Sequence, residues 1–174
     1  MNRVLAAFLL AACAPWTVVQ RAEPNPLVGQ KFVTVLPLDW TNVMIDGLTE
    51  PGWNETNDVE MKREWVIDRQ IAGDEFHNGV FSEMSGKLGI APGAAPLTIK
   101  CTVLTLKTGG IRPLFLTVRA QLLDRQGTMI EEVTTEVKET RGGFHIGQFR
   151  ERLRNASRAC GANLAQYFVE RARP

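Results

Sequence analysis

Histidine is scarce in this 174-residue chain, which holds only His77 and His145. Neither has a His, Cys, Asp or Glu two or four positions further on, so the spacing that builds a metal site is missing and no metal or organic cofactor is expected. His77 reads as the solvent side of a helix. His145 falls in the glycine-rich connector Arg141-Gly142-Gly143-Phe144-His145-Ile146-Gly147. No Gly-x-Ser-x-Gly elbow, phosphate loop or dinucleotide fingerprint occurs. The carboxylates Asp68, Asp74, Glu75 and Glu83 fall where a helix surface carries charge anyway, and nothing marks two of them as an acid–base pair. An enzyme is therefore not expected. Excess charge is lacking too: 20 Lys and Arg face 19 Asp and Glu, so no field gathers polyanions and nucleic acid is not an expected partner. The local group Arg150, Arg152, Arg154 and Arg158 reads as the solvated face of a terminal helix. Missing as well is any apolar run of the roughly twenty residues a spanning helix requires.

What the chain does have begins at its amino end. Met1-Asn2-Arg3 leads into the apolar run Val4 to Ala12, the basic-then-apolar order of a secretory signal. Such a run engages an export channel and is too short to anchor the mature protein. Leu10-Ala11-Ala12-Cys13 resembles the bacterial lipobox, in which small residues admit a peptidase and the cysteine thiol receives the lipid. Acylation would hold the protein on a membrane, because each buried methylene contributes about 0.8 kcal/mol. Ala14, where inner-membrane lipoproteins carry Asp, resembles the pattern sorted to the outer membrane. The alternative is an ordinary signal cut between Ala12 and Gln20, which gives a soluble periplasmic or secreted protein. On the first reading residues 1–12 are a signal peptide and residues 13–30 a lipidated tether. That tether carries Pro15, Pro24, Pro26 and Gly29 and is expected to hold no regular element. Residues 31–174 are then one periplasmic domain.

Within that domain Phe32 to Trp40 is rich in β-branched and aromatic residues and reads as a strand. Residues 44–58 read as a loop. From Val59 to Leu88 the pattern is helical, with Phe76, Val80, Met84 and Leu88 forming one stripe. Asp74 is placed to cap this helix, after a break at Gly73. Leu97 to Val103 and Leu114 to Leu122 alternate as half-buried strands. Asp124-Arg125-Gln126-Gly127 is a hairpin turn into a third strand with Met129, Val133 and Val137. Phe149, Leu153, Ala156, Cys160, Leu164 and Phe168 then mark a final amphipathic helix. The expected fold is α+β, an antiparallel sheet of about four strands packed on two helices in the order β-α-β-β-β-α.

With Cys13 assigned to lipid, Cys101 and Cys160 remain, both pointing inward from elements expected to pack face to face. They can form a disulfide if their Cα atoms lie within about 7 Å. Otherwise they are two buried thiols, which cysteine tolerates well.

The order of elements behind a lipobox resembles small periplasmic domains of outer-membrane lipoproteins, of the curli-secretion and peptidoglycan-synthase-activator type. The likeness is carried by Val33-Thr34-Val35-Leu36-Pro37-Leu38, by Leu116 to Gly127, and by the final helix ending Asn163-Leu164-Ala165-Gln166-Tyr167-Phe168. It implies a non-catalytic binding or assembly role and transfers no functional residue. An envelope protein or a cell-wall component is then the expected partner, met through the sheet edge or the loops, with the membrane engaged through the lipid. A second reading is a lipid or other small amphiphile held between sheet and helix, in a cleft lined by Trp40, Trp53, Trp65, Phe76 and Phe81.

Overall fold

The computed structural model describes residues 14–93, 95–109, 113–140 and 146–173. From the amino end come β1 (Thr17–Gln20), β2 (Phe32–Val35), β3 (Met44–Ile45), β4 (Leu48–Thr49), the short helix α1 (Glu50–Glu55) and the long helix α2 (Val59–Met84). Then follow β5 (Gly89–Ile90), β6 (Thr98–Lys107), β7 (Leu114–Leu123), β8 (Met129–Glu139) and α3 (Ile146–Ala172). The sheet runs β1-β8-β7-β6-β2-β5, with β3 on β6 and β4 on β3.

The fold expected from the sequence is corrected on two counts. Among the described residues the sheet has eight strands and is mixed, and three helices accompany it. β6, β7 and β8 are antiparallel, but β2 lies parallel to both β6 and β5, and β3 parallel to β6. The physical reason is the crossover. A strand that reaches its neighbour through a helix as long as α2 returns in the same direction. The extra strands are two to four residues long, too short to show a period.

Strand β7 explains the layering. Leu114, Leu116, Val118, Ala120 and Leu122 are buried, and every residue between them is partly open. On the buried face lie Leu153, Ala156, Cys160, Leu164 and Phe168 of α3, with Phe76, Val80 and Met84 of α2 in the same core. The other face carries polar rungs, among them Gln121 Nε2 donating to Glu132 at 2.7 Å and Thr105 Oγ1 donating to Thr117 Oγ1 at 2.9 Å.

Helix α2 runs unbroken through Gly73 and is capped by Asp58, whose carboxylate accepts from the Met61 amide at 2.8 Å. The expected break at Gly73 and cap at Asp74 are thus corrected. A helical glycine costs only about 1 kcal/mol, and the packing against α3 outweighs it. That packing is intimate at Gly79 and Gly161. A Cβ at Gly79 would fall 2.1 Å from the Arg158 carbonyl oxygen, and one at Gly161 would fall 2.1 Å from that of Phe76. Arg150 pairs with Glu64 and Asp68, and Arg154 and Arg158 reach Glu75, so arginines expected to be solvated join the helices along their length.

The stretch expected to hold no regular element is folded onto the domain. β1 pairs with β8, and the Thr135 hydroxyl donates to the Pro15 carbonyl at 2.6 Å. Trp16 packs edge-on against Tyr167 at 5.8 Å, and Leu27 is fully buried. Beneath this segment Glu131, also fully buried, accepts from Tyr167 Oη at 2.6 Å, from Arg171 at 2.9 and 3.2 Å and from the Ala22 amide at 3.1 Å. Arg171 in turn donates to the Ala22 carbonyl at 2.9 Å, and Asn25 donates to the Arg171 carbonyl at 2.7 Å.

Candidate functional site

Pro37 ends β2, because proline cannot donate to the ladder. The backbone then rejoins β6 at Asp39, whose amide donates to the Cys101 carbonyl at 2.9 Å while its carbonyl accepts from Val103 at 2.8 Å. The Asp39 carboxylate accepts from the Thr41 amide at 2.8 Å and helps to shape a tight turn in which Asn42 adopts φ 65°. Asparagine tolerates this left-handed region better than most residues. The chain reverses again at Asp46 and Gly47, both with positive φ, and Thr49 caps α1. Between the 38–44 segment and the first turn of α1 lies a half-open cleft of about 760 Å³. Leu38, Trp40, Met44 and Pro51 form its apolar lining, and Asp39, Asn42, Glu50 and Arg69 are among its polar groups.

Three tryptophans stand behind this cleft. Trp65 meets Trp40 edge-on at 5.5 Å and Trp53 at 5.7 Å, and the Arg69 guanidinium lies 5.9 Å from the Trp65 ring centre. Glu50 accepts from Trp65 Nε1 at 2.7 Å and pairs with Arg69 at 2.8 Å. Asp39 faces Lys100 at 3.6 Å. Its partial burial favours the neutral acid, but the Thr41 hydrogen bonds and the Lys100 ammonium outweigh that and hold the carboxyl below its ordinary range. Each carboxylate of the cleft is therefore met by a cation, which leaves a lining of apolar, hydroxyl and amide groups with compensated charge. Asp39 stays ionised near neutral pH and is no reservoir of protons for acid catalysis.

Of the aromatic residues expected to line a cleft together, the structure gathers Trp40, Trp53 and Trp65. Phe76 is buried between the helices, where its carbonyl meets Gly161, and Phe81 lies 65% exposed on α2. Cys101 and Cys160 are free, buried thiols. Burial pushes Cys101 up to about 12, and burial together with the nearby Cys101 raises Cys160 as well, so both stay protonated and unreactive. His77 sits on α2 with Nδ1 3.0 Å from the Gly73 carbonyl. Cys13 and His145 lie outside the described residues. Among the described residues no group of His, Cys, Asp and Glu is arranged to hold a metal, and no helix is long and apolar enough to cross a membrane. The sequence reading missed Asp39, Asn42, Glu50 and Arg69. The available signal was aromatic and polar residues mixed in loop-forming stretches, Asp39 to Asn42 and Glu50 to Trp53, where binding groups concentrate.

No family model and no curated protein sequence matches the chain. Solved structures do. Protein XCC0632 from Xanthomonas campestris, of the DUF330 family, aligns with a TM-score of 0.52 at 14% identity over 91% of this chain and 94% of its own. A PelC dodecamer from Paraburkholderia phytofirmans aligns with a TM-score of 0.47 at 19% identity, over 91% of this chain and 99% of its own. A single-substitution variant of that PelC, also a dodecamer, aligns at 0.42 with 18% identity, over 88% and 96%. The first of these shows a shared fold. None of the three is a curli-secretion lipoprotein or a peptidoglycan-synthase activator.

Proposed function

We propose that this chain is a lipid-anchored module of the bacterial envelope that binds a cell-wall component in the tryptophan-backed cleft and catalyses no reaction. The leader ending at Cys13 supports the address. The observation that carries the role is the charge-compensated cleft itself. A sugar ring offers an apolar face and a rim of hydroxyls, and Trp40, Met44 and Pro51 beside Asp39, Asn42 and Glu50 match both. A free ion would find no uncompensated charge there. An amphiphile between sheet and helices is disfavoured by the helix contact at Gly79 and Gly161 and by the close-packed side chains of α3 on β7.

Titration of the protein with soluble cell-wall glycan fragments should shift its tryptophan emission saturably, since Trp40 lines the cleft. Arg69→Ala and Asn42→Ala should each weaken that binding about tenfold, roughly 1.4 kcal/mol for a lost polar contact. Absence of saturable binding, or binding by both variants as tight as that of the parent protein, would overturn the reading.

A further inference from the structure

Pro15 is two residues beyond Cys13, and its carbonyl is held by the Thr135 hydroxyl at 2.6 Å, so the first fixed point of the fold lies close to the lipidation cysteine. Two residues of extended chain reach about 7 Å. A flexible tether over residues 13–30 would instead let the domain wander on the order of 25 Å. No such slack exists, because the segment after Pro15 is occupied at successive points. Trp16 packs on Tyr167, β1 pairs with β8, Ala22 is joined to Glu131 and Arg171, and Leu27 fills the core.

We propose that the β1 edge, presenting Trp16, Val18 and Val19, lies directly against the lipid leaflet that holds the acyl chains of Cys13. This inference rests on the lipoprotein reading and deepens it. Three features of the edge suit a lipid headgroup surface. Val19 is 59% exposed and Val18 36%, which is unusual burial for valine in a strand. Among the described residues β1 pairs with β8 on one side only, which leaves it an edge strand, and a strand edge is stabilised by being covered. Trp16 is half-buried with an indole suited to the interface between headgroups and acyl chains, and Arg21, exposed at the end of the strand, can meet lipid phosphate. The domain is thereby oriented, with the β1–β8 side and the end of α3 toward the membrane.

The test uses the full-length protein purified from bacterial membranes, with its acyl mass verified first, in phosphatidylethanolamine and phosphatidylglycerol vesicles carrying brominated acyl chains. Bromine should quench part of the tryptophan emission. Trp16→Phe should abolish that quenched component, and a fifteen-residue Gly-Ser insertion between Cys13 and Ala14, which leaves the fold untouched, should reduce it severalfold. Acylated protein whose Trp16 is not quenched, or is quenched equally with the insertion, overturns the proposal while leaving the lipoprotein reading intact. Protein without acyl mass overturns both.

Discussion

Gly161→Ala is expected to destabilise the protein by about 3 kcal/mol or to prevent folding, although alanine is the better helix former by about 1 kcal/mol. The new methyl would lie 2.1 Å from the Phe76 carbonyl oxygen and 3.2 Å from the Val80 amide nitrogen. Both are backbone atoms of α2, so no side chain can turn aside and the helices must separate. Gly79→Ala meets the Arg158 carbonyl in the same way, and the double variant should cost less than the sum of the two, because one separation relieves both clashes. Gly73→Ala in the same helix is the control. Nothing lies within 4 Å of its Cβ, so it should stabilise by about 0.5–1 kcal/mol. Urea unfolding reads all four, and equal stability of Gly161→Ala and the parent would contradict the contact.

Glu131→Ala is expected to cost roughly 3–5 kcal/mol, because it leaves the Arg171 guanidinium, whose side chain is 12% exposed, without its main carboxylate. The effect should depend on pH with a defined sign. Burial would raise the Glu131 pKa, but Arg171, Tyr167 and the Ala22 amide together hold it below its ordinary value of 4.5. A carboxyl whose pKa is lower folded than unfolded contributes stability that is complete above the unfolded value and disappears as pH falls through the folded one. The stability gap between the parent and Glu131→Gln should therefore be constant from neutral pH down to about 5 and narrow below it. Asp39 and Glu75 are also depressed, but they are present in both proteins and cancel in the difference. A second readout follows from the connection to Ala22. Loss of Glu131 should loosen the amino-terminal segment and speed tryptic cleavage after Arg21, which is exposed at the end of β1. A pH-independent gap together with unchanged cleavage would show that the network does not hold the segment.

Some of this was legible in the residues and some was not, for identifiable reasons. The alternation from Leu114 to Leu122 and the stripe from Phe149 to Phe168 are long enough for their periods to stand clear of noise, and both faces are buried as their patterns require apart from Phe149, which is half-buried. The parallel placement of β2 is carried by connectivity, through the long helix between it and β6, and a strand of four residues shows none of it locally. Pro15, Pro24 and Pro26 suggested a free tether, yet they flank Thr17–Gln20 and leave it intact to pair with β8. Glu131 and Arg171 look like surface charges in isolation, and only the fold brings them together under Ala22. The same holds for the cleft, whose Asp39, Glu50 and Arg69 come from three separate segments. The two inward cysteines were read correctly as core residues, and they remain separate thiols.

The envelope address underlies both the cleft reading and the orientation on the lipid surface, and intact-mass measurement of the protein extracted from bacterial membranes tests it most directly. The expected result is a chain that begins at Cys13, carries the mass of its acyl chains and stays with the membrane fraction through an alkaline wash. A chain recovered from the cytosol with Met1 in place and no acyl mass would contradict it.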